Sequence, residues 1–243
     1  MDQIKAFQEE RSKRIEEQGN ADTLKKRADE FMVESVQYKY SYNFSWMGRP
    51  IIQYPQDIIA MQEIIWEVKP DLIIETGIAH GGSLILYASL LELIGDGEIV
   101  GVDIDIREHN RQEIEKHPMF KRIKMIQGSS IDEEIVAKVK EFTAGKSRIM
   151  VILDSNHTHD HVSKELEFYS PFVTTGSYLV VFDTIVEHLP EGSVTDRPWD
   201  IGDNPKTAVQ EFLRSHPNFE IDEVINNKLL ISVSPDGYLK KVK

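Results

Sequence analysis

The chain has 243 residues, enough for one sizeable α/β domain with an appendage and a full hydrophobic core. Its 41 acidic and 28 basic residues give a formal charge of −13, which argues against a general nucleic-acid binder, since phosphates call for a basic face. The absence of cysteine excludes disulfides, thiolate metal sites and a Cys nucleophile.

The start, MDQIKAFQEERSKRIEEQ, is charged and helical in pattern. It lacks a signal-peptide core, and no run of 18 apolar residues follows anywhere, so a cytoplasmic protein without a membrane span is expected. Arg11, Lys13, Arg14 and Lys25–Arg27 are interleaved with Glu9, Glu10, Glu16 and Glu17, which reads as a solvated helix face rather than an RNA patch. Residues 1–40 therefore predict one or two helices whose sparse apolar positions (Ile4, Phe7, Ile15, Leu24, Phe31) must pack on the main domain or on another subunit. A homo-oligomer is the expectation. An aromatic stretch, SYNFSWMGRPIIQYP, is broken by Gly48, Pro50 and Pro55 and completes an extension over 1–55. The domain proper is expected over 56–243, opening with a helix over Gln56–Val68 that Pro70 ends.

Strands and helices then alternate. The strand-like runs are Leu72–Glu75, Ile99–Asp103, Ile123–Gln127, Ile149–Leu153 and Tyr178–Phe182. Between them lie the helical runs Leu84–Ile94, Asn110–His117, Asp132–Phe142 and Thr158–Tyr169. Near-continuous Val/Ile/Leu strands spaced by helices predict a parallel sheet covered on both faces. The tail reads as a helix over Lys206–Ser215, then strands over Phe219–Ile225 and Lys228–Val233 with an Asn226-Asn227 turn. Two residues cannot make a parallel crossover, so this pair predicts an antiparallel hairpin.

The segment DLIIETGIAHGGS (71–83) runs from a buried strand through Glu75, Gly77, Ala79, Gly81 and Ser83 into a helix. Such a turn lets backbone and a helix N-terminus approach a nucleotide-like cofactor. It is neither G-x-G-x-x-G nor a P-loop; E-x-G-x-x-x-G-x-S is a form associated with S-adenosylmethionine (SAM) in methyltransferases. In open α/β sheets the ligand sits beyond the carboxyl ends of the strands. There Asp103 is placed to accept from ribose hydroxyls, or to cap a turn, and Ser130 to meet an adenine edge, or to cap the next helix. Asp154 and Asp183 end neighbouring strands. They would share a proton or hold a hard cation such as Mg²⁺. His157 follows within reach as a general base, since an unperturbed imidazole titrates near pH 6.5, or else as a capping or core residue. The run HTHDH is one residue short of the H-x-H-x-D-H of zinc hydrolases. The long loop over 187–205 is expected to border the site, with Arg197, Trp199 and Asp200 as candidate substrate contacts alongside Trp46, Arg49 and Tyr54.

The blocks NFSWMGRPIIQYPQD, IIETGIAHGGSL, VILDSNHTHDHV, YLVVFDT and RPWDIGDNPKTA, in this order, resemble the cephalosporin hydroxylase/rhamnosyl O-methyltransferase family over roughly 40–240. The resemblance implies a Rossmann-like, seven-stranded methyltransferase sheet, mostly parallel with a C-terminal antiparallel hairpin. It also implies SAM-dependent O-methylation of a sugar or natural-product hydroxyl, often with Mg²⁺. By position it implies SAM contacts at Glu75, Gly77, Gly81, Ser83 and Asp103, metal ligands at Asp154 and Asp183, and a catalytic base at His157. Where such relatives carry an acidic pair, this chain has Phe182-Asp183, so a cation would need Thr184, water or substrate oxygens in place of one carboxylate. A nicotinamide-dependent oxidoreductase and a non-catalytic SAM-binding or assembly protein are the competing readings.

Overall fold

The computed structural model describes residues 2–193 and 197–243; the central part of the expected 187–205 loop, 194–196, lies outside the described residues. Two helices, α1 (Gln3–Gly19) and α2 (Asp22–Gln37), lead into a two-stranded antiparallel ribbon, β1 (Phe44–Trp46) and β2 (Arg49–Ile51), and then α3 (Pro55–Val68). Alternation follows: β3 (Leu72–Thr76), α4 (Gly82–Ile94), β4 (Glu98–Asp103), α5 (Glu108–Lys116), β5 (Ile123–Gln127), α6 (Glu133–Phe142), β6 (Ile149–Leu153), α7 (His159–Tyr169) and β7 (Tyr178–Val181). The chain closes with α8 (Pro205–Ser215), β8 (Phe219–Ile221), α9 (Glu223–Leu229) and β9 (Tyr238–Lys241).

Seven strands form one sheet in the order β5-β4-β3-β6-β7-β9-β8. The first five are parallel, and β9 pairs antiparallel with both β7 and β8. Alternate residues of each buried strand serve opposite faces. Ile73, Ile99, Met150, Ile152 and Val180 join the core under α3 and α4, whereas Leu72, Ile74, Val100, Val151 and Leu179 join the core under α6, α7 and α8. Strand order reverses between β3 and β6, which opens a crevice above the carboxyl ends of β3, β6 and β7.

The expected Asn-Asn hairpin is not formed. Asp222 accepts hydrogen bonds from the N–H groups of Val224 and Ile225 and starts a helix, so Asn226 and Asn227 lie within α9. An Asp cap outweighs the short-range turn signal here because it satisfies two helix donors. Residues 230–237 follow as an irregular segment from which Val233 lines the site, and the antiparallel partner of β7 is instead Tyr238–Lys241.

The N-terminal helices differ in attachment. α2 buries Ala28, Met32 and Ser35, with Met32 in the main core. α1 buries no residue; Gln18 donates from Nε2 to the carbonyls of Asn227 (2.7 Å) and Lys228 (3.0 Å) in α9, while Ile4 and Phe7 are exposed. Among the described residues, no helix is long and apolar enough to cross a membrane.

Candidate active site

The glycine loop is held open by backbone geometry. Gly77 has φ +91°, and a Cβ there would lie 1.9 Å from the Asp154 carbonyl oxygen. Only glycine permits this approach. It lets Gly77 N–H donate to Val102 O (2.7 Å) and Asp154 N–H to Thr76 O (2.9 Å), which locks the ends of β4, β3 and β6 together. Asp103 clamps the loop from the far side: its Oδ2 accepts from the N–H groups of Ile78 (2.8 Å) and Ala79 (3.2 Å), and its Oδ1 from Asp105 N–H (3.0 Å). Asn110 donates to the Ala79 carbonyl.

Beside this loop lies a cavity of about 380 Å³. The loop residues Gly77–His80, Gly82 and Ser83 line it together with Gln53, Tyr54, Asp154, His157, Asp183 and Trp199. One donor atom from each of Asp154, His157 and Asp183 lies within 4.8 Å of the others. His157 Nε2 is 3.2 Å from Asp183 Oδ2, and the His157 ring meets the Trp199 ring edge-on at 4.6 Å between centroids. Asp183 holds its position at φ +57°, a left-handed conformation uncommon outside glycine, at the start of the 3₁₀ turn Thr184–His188.

The electrostatics are those of crowded acids. Burial drives the Asp154 carboxyl well above the ordinary carboxylate range, and Asp183, Glu75 and Glu165 add to the rise. Burial likewise raises Glu75 to about 8, against a hydrogen bond from Ser83 Oγ (3.0 Å) to its Oε2; its Oε1 has no partner. The Ser83 hydroxyl is thus engaged with Glu75.

The three histidines of HTHDH diverge: His157 precedes α7, while His159 and His161, two residues apart in its first turn, point to different sides. His157 faces the cavity. His159 Nδ1 lies 2.8 Å from Thr207 Oγ1 and its Nε2 3.2 Å from Glu211. His161 Nε2 sits near Ser130 Oγ (3.1 Å), Ser155 Oγ (3.2 Å) and the fully buried Glu165 (3.5 Å). Asp154, His157 and Asp183 form the one cluster with metal-ligand spacing among the described residues.

Several candidate residues are engaged elsewhere in the fold or stand outside the cavity. Ser130 is not a helix cap, because Asp132 takes that role by accepting from Glu134 N–H. Asp103 and Ser130 both lie outside the cavity lining. Arg49 does not reach it either: its guanidinium donates to the His80 carbonyl (3.0 and 2.6 Å) and to Asn110 Oδ1 (3.0 Å), bracing the glycine loop. Trp46 donates from Nε1 to Ser89 on α4. Asp200 bridges to Asp203 and anchors the base of the loop, leaving Arg197 and Trp199 at the cavity. Thr184 supplies no oxygen to the cluster, since it is fully buried and donates to Pro235 O (2.7 Å). Phe182 turns away into the core against Tyr238. Sequence reading passed over Gln53, a single amide between Ile52 and Tyr54; its one signal is a polar residue in an apolar stretch just before a helix.

The model of the rhamnosyl O-methyltransferase/CmcI family matches residues 38–242. The chain belongs to that family. By that membership it is a SAM-dependent O-methyltransferase, and the oxidoreductase and non-catalytic readings find no support. The rhamnosyl O-methyltransferase of Mycobacterium leprae is 29% identical over 196 residues, covering 80% of this chain and 82% of that one. Its counterpart from Mycobacterium tuberculosis H37Rv is 27% identical over 226 residues, covering 88% and 86%. Among solved structures, CmcI with Mg and SAM superposes with a TM-score of 0.58 at 20% identity over 83% of this chain and 78% of that chain. CmcI with S-adenosylhomocysteine gives 0.52 at 17% identity, over 81% of each. These superpositions show the shared fold.

Proposed function

We propose that this protein methylates a sugar hydroxyl at the cavity between the glycine loop and the Asp154–His157–Asp183 cluster. The observation that carries the reading is the convergence of a base, two carboxylates and a glycine-lined wall at one strand-end crevice. SAM would lie along the loop of Glu75, Gly77, Ala79, Gly81 and Ser83. Asp103 Oδ1, which accepts one backbone bond, keeps an accepting site for a ribose hydroxyl. Ser130, at the end of β5, would meet the adenine edge. A cationic sulfonium suits a floor where Asp154 and Glu75 are costly to ionise alone.

Methyl transfer is an in-line displacement, so catalysis is chiefly positioning and removal of the acceptor proton. His157 would take that proton, and the Asp183 carboxylate, 3.2 Å from its Nε2, lies close enough to face the imidazolium that results. The edge of Trp199 fixes the ring orientation. The donor set of Asp154 and Asp183 oxygens fits a hard divalent cation, in keeping with the Mg in the CmcI structure. Such a cation, when bound, would lower the pKa of the acceptor hydroxyl. The names of the mycobacterial relatives favour a rhamnosyl acceptor, a sugar of a surface polysaccharide or glycolipid. Exposed Ile4 and Phe7 on α1 support a homo-oligomer.

The test pairs titration calorimetry with SAM and transfer of labelled methyl to rhamnosyl glycosides. His157→Ala should retain SAM affinity and lose about 10²–10⁴ in rate. No SAM binding, or a near-normal rate in the variant, refutes the reading.

A further inference from the structure

Gln53 stands in the cavity wall with 5% of its surface exposed. Its Oε1 is buried without a hydrogen-bond partner, and its Nε2 makes only a long 3.5 Å approach to Asp154 Oδ2. A buried amide oxygen left unpaired costs about 1–3 kcal/mol, so the orientation of this amide is weakly held by the fold. The neighbouring side chains are spent elsewhere: Thr184 on Pro235, Phe182 in the core, Ser83 on Glu75 and Ser155 on Glu165.

We propose that the Gln53 side-chain oxygen is a third protein ligand, beside Asp154 and Asp183, to a divalent cation bound in this cavity. Amide oxygens are ordinary ligands of hard cations. The terminal torsion of glutamine is broad and roughly two-fold, so a half-turn exchanges Nε2 for Oε1 beside Asp154 at little cost. The half-turn replaces a marginal donor contact with two oxygens aimed at one point, where a cation can bridge them, and moves Nε2 to the place Oε1 held. It also explains a neutral residue here: Asp154, Asp183 and Glu75 already crowd the site with carboxylates, and a further negative charge raises the cost of the metal-free state. The assignment rests on the methyl-transfer reading of the same cavity.

The test is direct binding of Mn²⁺ to the full chain, read as the loss of the free-ion electron paramagnetic resonance signal. SAM affinity is measured separately in EDTA. Gln53→Leu should weaken Mn²⁺ binding at least about tenfold while SAM affinity in EDTA stays within about twofold of the native value, which also shows that the variant is folded. Gln53→Glu, which keeps an oxygen, should bind Mn²⁺ at least as tightly as the native chain. Unchanged Mn²⁺ affinity in Gln53→Leu overturns the assignment, as does a matching loss of SAM affinity, which would place Gln53 on the methyl donor instead. Native protein that binds SAM but no Mn²⁺ overturns the cation site and leaves methyl transfer standing, whereas failure to bind SAM strikes the underlying function.

Discussion

Glu75 lies fully buried beneath the glycine loop, and replacing it with Gln isolates a single proton. In the folded chain its carboxyl is raised to about 8 from an ordinary 4.5, chiefly by burial. Below pH 4.5 both folded and unfolded chains carry the proton and pH has no effect through this group. Between 4.5 and 8 the unfolded chain has lost the proton and the folded chain keeps it, so folding takes up a proton and stability falls as pH rises. Each pH unit removes about 1.4 kcal/mol, for a total of about 5 kcal/mol by pH 8, above which the effect is flat. Glu75→Gln can still accept from Ser83 and titrates nothing. Its unpaired buried amide adds an offset, but one that does not depend on pH. Urea unfolding of both proteins at pH 5, 7 and 9, without SAM, should show the variant gaining on the native chain by about 4–5 kcal/mol across that range. If the gap changes by less than about 1 kcal/mol, Glu75 is not held protonated and the account of the loop floor is wrong.

Two further substitutions probe the frame around the site. Gly77→Ala places a methyl 1.9 Å from the Asp154 carbonyl at φ +91°, so either the β3–β6 junction or the loop must move. A loss of about 3 kcal/mol or more in stability, with SAM binding weakened at least tenfold, is expected by denaturation and calorimetry; native-like values in both would contradict the close approach. Asp57, fully buried, accepts from Ser232, Val233 N–H and Tyr238, yet burial raises it from 3.8 to about 6. Its sign is that of Glu75 in an earlier window. Asp57→Asn should therefore gain about 3 kcal/mol on the native chain between pH 4 and 6 and nothing further above 7, by unfolding at pH 4, 6 and 8.

The sequence by itself determined the sheet and its loop. Five strands of near-continuous β-branched residues can be covered only by the helices between them, and Gly77 and Gly81 mark where backbone must turn with positive φ. Asp154, His157 and Asp183 were also legible as a group, because strand-end positions of adjacent parallel strands converge by construction. The tail was misread because Asn226-Asn227 carries a local turn signal, whereas Asp222 decides the matter by capping a helix that packs under α1. Tertiary structure alone assigned the polar side chains their partners. Arg49 looked like a substrate contact and proved to brace the His80 carbonyl; Thr184 looked like a spare ligand and proved to be bound to Pro235. Gln53 gave no sign of its place, since nothing in its neighbours reveals that the segment before α3 passes beside Asp154, 101 residues away. Periodicity and turn chemistry act over a few residues and are written locally. Hydrogen-bond satisfaction and charge crowding depend on which distant segments the folded sheet brings together.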